Sequence, residues 1–208
     1  SWTGFMTGKN PGKHGVYGFT DVKPGTLSLF FPNFGNVRGD TLWDIAGRAG
    51  KRSLVLNIPN TYPARPLEGL LVSGFVAVKL ERAVHPPALA ARLTADGYRI
   101  DVDYQNADQR PEAFFEDLRA TLEARRRVYL RLLKEERWDL FIGVFTECDR
   151  LHHYLWSQYV DAAAPEALSR AVEADQARYR EFMHAALGEK WEQEMAEVSK
   201  MTHELLDQ

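Results

Sequence analysis

The 208-residue chain holds a single cysteine, Cys148. An intrachain disulfide is therefore excluded, and a reducing compartment such as the cytoplasm suits the composition. No apolar run approaches the roughly 20 residues that a membrane-crossing helix needs. Neither sign of charge dominates: 26 Lys and Arg against 29 Asp and Glu leave a formal net charge of -3, so no basic surface points to a nucleic-acid duplex. No internal repeat or low-complexity tract is present, which argues against a solenoid or a disordered linker. An initiating methionine is missing too. The sequence opens on SWTGFMTG and closes on SKMTHELLDQ, still helical in pattern, so both ends are expected to be cuts within a longer protein.

What is present reads as one α/β unit. Residues 1–40 are rich in glycine, proline and aromatics, the composition of an ordered loop. TLWDIAGRAGK, 41–51, predicts a short helix with Leu42, Ile45, Ala46 and Ala49 on one face and Gly50 at its end. RSLVLNIP, 52–59, predicts an apolar strand closed by proline. TYPARPLEGLLVSGF, 61–75, reads as loop around a short apolar core, HPPALAARLTADG, 85–97, as a proline-started helix, and the alternation of YRIDVDY, 98–104, as a strand with one wet face. Over 111–136 Phe115, Leu118, Leu122, Tyr129 and Leu132 recur at helical spacing, which leaves Arg125, Arg126 and Arg127 on the solvated face. WDLFIGVF, 138–145, has the length and content of a fully buried strand, and two further helices are expected at 165–187 and 189–207, with their apolar stripes as packing faces. Helix alternating with apolar strand implies a mainly parallel sheet, with core parts at 1–61 and 137–208 and an inserted cap over 62–136.

Ligands of open α/β sheets bind beyond the carboxyl ends of the parallel strands. If 138–145 is such a strand, TECDRLHH stands on that rim. Asp149 and His153 are four residues apart, so on a helix their side chains share a side, and a carboxylate oxygen beside an imidazole nitrogen suits zinc or a similar divalent ion. The same spacing also fits a helix-capping Asp149 with His153 packed beneath Trp156. His152 falls on another side of the helix. Cys148 reads as a small buried residue, since nothing beside it lowers a thiol pKa.

Four segments in order resemble the alkaline phosphatase superfamily, and within it the type I phosphodiesterase/nucleotide pyrophosphatase branch. TGKNPGKHG, Thr7 to Gly15, matches T-G-x-x-P-x-x-H-G; NIPNTYP carries P-x-T-Y-P; GLLVSGF matches G-x-x-V-S-G-F; CDRLHHYLW matches x-D-R-x-x-H-x-x-W. The resemblance implies an αβα sandwich and a hydrolase of small phosphate esters that works with two divalent ions, zinc by preference, through a covalent phospho-threonine. It places Asp149 and His153 in the metal site. It sets the nucleophile nine residues before Thr7, upstream of Ser1, so no catalytic nucleophile is expected within the chain and the chain alone is expected to be inactive. Thr3 and Thr7 are left to hold the loop and helix start. Lys9, where sulfatase relatives carry a basic residue, is a candidate phosphate contact, and His14 is expected to pin a turn. Asn57, Asn60, Thr61 and Tyr62 are candidates for lining the substrate pocket. The branch's D-H-G segment and its last histidine have no counterpart here. A sulfatase or phosphomonoesterase of the same superfamily, or a non-catalytic relative kept for binding, are the alternatives.

Overall fold

The computed structural model describes residues 2–103, 107 and 110–161, the side chains of 155–161 excepted. The helices expected at 165–187 and 189–207 lie outside the described residues.

Four strands form the central sheet: β3 (Ser53–Ile58), β4 (Gly69–Ser73), β5 (Val84–His85) and β6 (Leu140–Gly143), in the order β5-β4-β3-β6. β3 runs parallel to both β4 and β6, and only the short β5 is antiparallel. A separate hairpin pairs β1 (Asp21–Val22) with β2 (Leu29–Phe30). The helices are α1 (Trp2–Thr7), α2 (Pro11–His14), α3 (Leu42–Arg48), α4 (Leu89–Ala95), α5 (Pro111–Glu135) and α6 (Glu147–Asp161).

Alternation along the strands sends side chains into two cores, as a sheet covered on both faces requires. Leu54, Leu56, Leu70 and Val72 pack with Leu89 and Leu93 of α4 and with Val128, Tyr129 and Leu132 of α5. Val55, Ile58 and Leu71 pack with Met6 of α1 and Trp43 of α3 on the other face. The molecule is a mixed α/β fold of helix, mainly parallel sheet and helix, as the sequence suggests. Simple alternation would put Ile58 on the Leu54–Leu56 side. A register shift between Leu56 and Ile58, with Asn57 at φ +63°, inserts one residue and turns Ile58 to the opposite face.

Helix α3 starts as its sequence dictates. The Thr41 hydroxyl accepts from the Asp44 N–H, while the Asp44 carboxylate accepts from the Thr41 N–H at 2.8 Å, a reciprocal cap. A third cluster joins Val102 and Ala107 to Phe114 and Leu118 of α5, with Leu151 and Tyr154 of α6 against it.

Several expectations are corrected. The first forty residues hold two short helices and a hairpin rather than loop throughout. GLLVS, read as the core of a loop, is the fully buried strand β4. Residues 98–103 form no strand, although their alternation is regular. β6 is only partly buried, because it pairs with β3 on one side and is an edge among the described residues. On α5 the buried face is Phe114, Leu118, Thr121, Arg125, Val128 and Leu132, so Arg125 belongs to the interior and not to the solvated face, while Arg127 is exposed.

Candidate active site at the strand ends

The chain leaves β6 through Val144, Phe145 and Thr146 and enters α6 at Glu147. That exit is held from three directions. The Val144 N–H donates to the Leu56 carbonyl at 3.0 Å, continuing the sheet. The Val144 carbonyl accepts from the Asn57 amide at 3.2 Å and from the Tyr129 hydroxyl at 3.0 Å. Burial drives the Tyr129 phenol well above its ordinary pKa, so it stays a neutral donor.

The first turn of α6 then splits by face. Glu147 and Arg150 point inward and are buried. Cys148, Asp149, His152 and His153 lie on the outer side and are exposed, so the expectation of a buried Cys148 is overturned. Glu147 before it and Arg150 two residues on face the core, and the helical rotation carries Cys148 out.

Asp149 and His153 stand side by side: His153 Nε2 is 3.4 Å from Asp149 Oδ1. Both side chains are more than half exposed, at 60% and 67%. They open onto a recess of about 470 Å³ whose other walls include Trp2, Phe19, Pro59, Phe75, Phe145 and Arg150. A second recess of about 230 Å³ adjoins it, sharing Trp2, Phe19, Pro59 and Phe75 and adding Thr3 and Asn60. The glycine-rich N-terminal segment and the Asp149–His153 pair thus face one another across an aromatic-walled hollow. Among the described residues His153 is mostly exposed.

One oxygen and one nitrogen donor, a turn apart and open to a recess, fit part of the sphere of a zinc-like ion. Among the described residues no group of three or more His, Cys, Asp or Glu side chains converges.

The other candidate residues are placed as follows. Asn60 lines the smaller recess and donates to the Thr3 hydroxyl at 3.0 Å, with its own backbone at φ +64°. Thr61 is buried and donates to the Ile58 carbonyl at 2.6 Å, which ties the turn after β3 rather than opening to the recess. Tyr62 is half-buried with the Arg82 guanidinium over its ring. Asn57 is buried and serves the Val144 carbonyl. Thr3 and Thr7 hold the opening helix: the Thr7 hydroxyl donates to the Thr3 carbonyl at 2.6 Å. Lys9 is directed toward Gly39 and Asp40. A Cβ placed on Gly39 would lie 2.0 Å from its Nζ, and Lys9 is not among the residues lining either recess. Asp40 is held below the usual carboxylate range chiefly by its hydrogen bond to Arg48 and that arginine's charge, with Lys9 a lesser contributor. His14 pins its turn. It is fully buried, its Nδ1 accepts from the Val16 N–H at 3.2 Å, and burial lowers its pKa.

Sequence reasoning missed Arg125, Asp101 and Arg150. Arg125 Nη1 donates to the Thr146 hydroxyl at 2.7 Å and pairs with Glu147 Oε1 at 2.8 Å. Its Nε and Nη2 donate to the carbonyls of Arg99 (3.3 Å) and Ile100. Burial opposes the Arg125 charge, but Glu147 and the neighbouring groups outweigh it and the guanidinium pKa is raised. Arg150 forks onto the Asp101 carboxylate, with Nε 3.1 Å from Oδ1, and lies over the Phe75 ring at 4.4 Å. The signal for Arg125 was in the pattern: 118, 121, 125, 128 and 132 form one stripe, with an arginine in its middle.

A mainly parallel sheet with a carboxylate–imidazole pair and an aromatic-walled recess at its strand ends describes an α/β protein with a candidate site at the rim of its sheet. The sequence signature of the family "Type I phosphodiesterase / nucleotide pyrophosphatase" matches residues 1–208. The chain belongs to that family, and so to the phosphoric-ester hydrolases. No curated protein and no solved structure matches it.

Proposed function

We propose that the protein hydrolyses phosphodiesters of small molecules, with Asp149 and His153 holding one of two divalent ions, zinc by preference. The observation that carries this reading is the 3.4 Å pairing of Asp149 and His153 at the lip of the sheet, open to the recess that Trp2 and Phe75 wall.

A bound ion at this place would lower the pKa of an attacking hydroxyl or water and neutralise charge on the phosphoryl oxygens. The chain's own residues supply the rest of the setting. Asp149 contributes negative charge that attracts the ion, and His153 a neutral nitrogen donor. Trp2, Phe19, Phe75 and Phe145 supply an apolar wall for the organic part of the ester. A covalent phospho-threonine intermediate is part of this reading. Lys9, whose ammonium lies by Gly39 and near Asp40, stays a candidate phosphate contact in this reading.

The test is a panel of nitrophenyl phosphodiester, phosphomonoester and sulfate ester, offered to the protein expressed from its whole reading frame. The reading expects the diester to be preferred, chelator to abolish turnover, and Asp149→Ala and His153→Ala each to lower kcat/KM by at least about 100-fold, in the range seen when one transition-state interaction is removed. Diester turnover unchanged in both variants would overturn it.

A further inference from the structure

Arg125 is the largest charged side chain in the interior, with no exposed surface, and it sits at a stripe position where leucine would pack without a charge to desolvate. Burying a guanidinium and a carboxylate costs several kcal/mol before their attraction is counted, and apolar replacements of such pairs are often neutral or stabilising. Stability alone therefore gives little reason for an arginine here.

Its contacts give another. Among the described residues its hydrogen bonds and ion pair reach four groups in two segments. The carbonyls of Arg99 and Ile100 lie in the irregular stretch after α4; the Thr146 hydroxyl and Glu147 carboxylate open α6. Arg150, one turn further along α6, returns to the same stretch through Asp101. Two arginines thus stitch residues 99–101 to the first turn of α6, one from α5 and one from α6 itself. Asp149 lies between Glu147 and Arg150 in sequence, on the opposite face of that turn. With both inward neighbours clamped, the turn can neither rotate nor slide without breaking several charge-assisted bonds, so the backbone that carries Asp149 and His153 is held in place. The same clamp explains why 98–103 is not a strand: its carbonyls at 99 and 100 are taken by a side chain.

We infer that Arg125, with Glu147 and the Asp101–Arg150 fork, is a positioning residue that sets the metal-donor turn of α6. The inference rests on the reading of Asp149 and His153 as metal donors. It assigns to residues 99–101 and α5 a role in the site that their distance in sequence from residues 149 and 153 conceals.

The experiment measures Zn²⁺ affinity by calorimetry together with the urea midpoint, on the protein expressed from its whole reading frame. Four proteins are compared: wild type, Asp149→Asn, the double variant Arg125→Met/Glu147→Leu, and Asp101→Asn. The double variant removes the Arg125–Glu147 half of the clamp without leaving a lone buried charge; Asp101→Asn, at a partly exposed carboxylate, weakens the other half and serves should the double variant fail to fold. The expected result is Zn²⁺ binding weakened at least about 10-fold in the folded clamp variants, the scale of losing groups that orient metal ligands. Wild-type affinity in a folded clamp variant, beside lost affinity in Asp149→Asn, would overturn the positioning role and leave the metal reading standing. Unchanged affinity in Asp149→Asn would overturn both.

Discussion

His153 Nε2 lies 3.4 Å from Asp149 Oδ1, one turn apart on the outer face of α6, while Glu147 and Arg150 on the inner face are buried. The exposed pair is the proposed site, and the buried pair its proposed anchor.

The bulge at Asn57 holds the exit of β6. Its positive φ is tolerated by asparagine and glycine, and its amide reaches the Val144 carbonyl. Asn57→Ala loses both advantages and should cost about 2–4 kcal/mol of unfolding free energy in urea titration; Asn57→Gly keeps the backbone freedom and should cost about 1 kcal/mol less. Equal losses in the two variants would show that the left-handed backbone is not at issue.

Tyr129→Phe removes the second donor to the same carbonyl and leaves the ring in its core. A loss of about 1 kcal/mol is expected by denaturant titration. No loss would mean that the Val144 carbonyl is satisfied without the phenol.

Two glycines should respond very differently to a methyl group. At Gly74 an added Cβ would come within 2.3 Å of the Asn57 carbonyl oxygen, a backbone atom that cannot swing away. Gly74→Ala should therefore destabilise by at least about 2 kcal/mol or prevent folding. Gly97, at φ +67°, has nothing within 4 Å of such a Cβ, so Gly97→Ala should cost only the backbone strain of about 1 kcal/mol. Thermal unfolding of the two variants checks the order.

Burial lowers the His14 pKa. The unfolded chain then takes up a proton that the folded state refuses, so this contribution to stability is full above the unfolded value near 6.5 and is lost as pH falls below it. The urea midpoint of wild type should drop more steeply between pH 7 and pH 5 than that of His14→Gln. Parallel profiles would contradict the assignment.

Much of this was legible from sequence because periodicity and capping are local. The helix over 41–51 with Gly50 at its end, the apolar run of β3 and the helical spacing of α5 are each visible within a few residues. What was hidden depends on partners far along the chain. β4 is a strand because Gly69 lets the chain pass against Ser53, where a Cβ would sit 1.9 Å from the carbonyl oxygen. Residues 98–103 alternate like a strand, yet two of their carbonyls answer to Arg125 on α5. Arg125 itself was placed outside because its charge suggests solvent, although its position in the stripe says otherwise. In the site, the Asp149–His153 spacing could be read directly; the clamp behind it could not, since Asp101, Arg125 and Thr146 meet only once the fold is formed.

The central claim is that Asp149 and His153 are metal donors. Its most direct test is the zinc content of the protein expressed from its whole reading frame, purified in parallel with Asp149→Asn and His153→Ala and measured by atomic spectroscopy after dialysis against the metal. The account predicts that each variant carries about one ion fewer per chain than wild type at an unchanged urea midpoint. Equal zinc in all three proteins would contradict it.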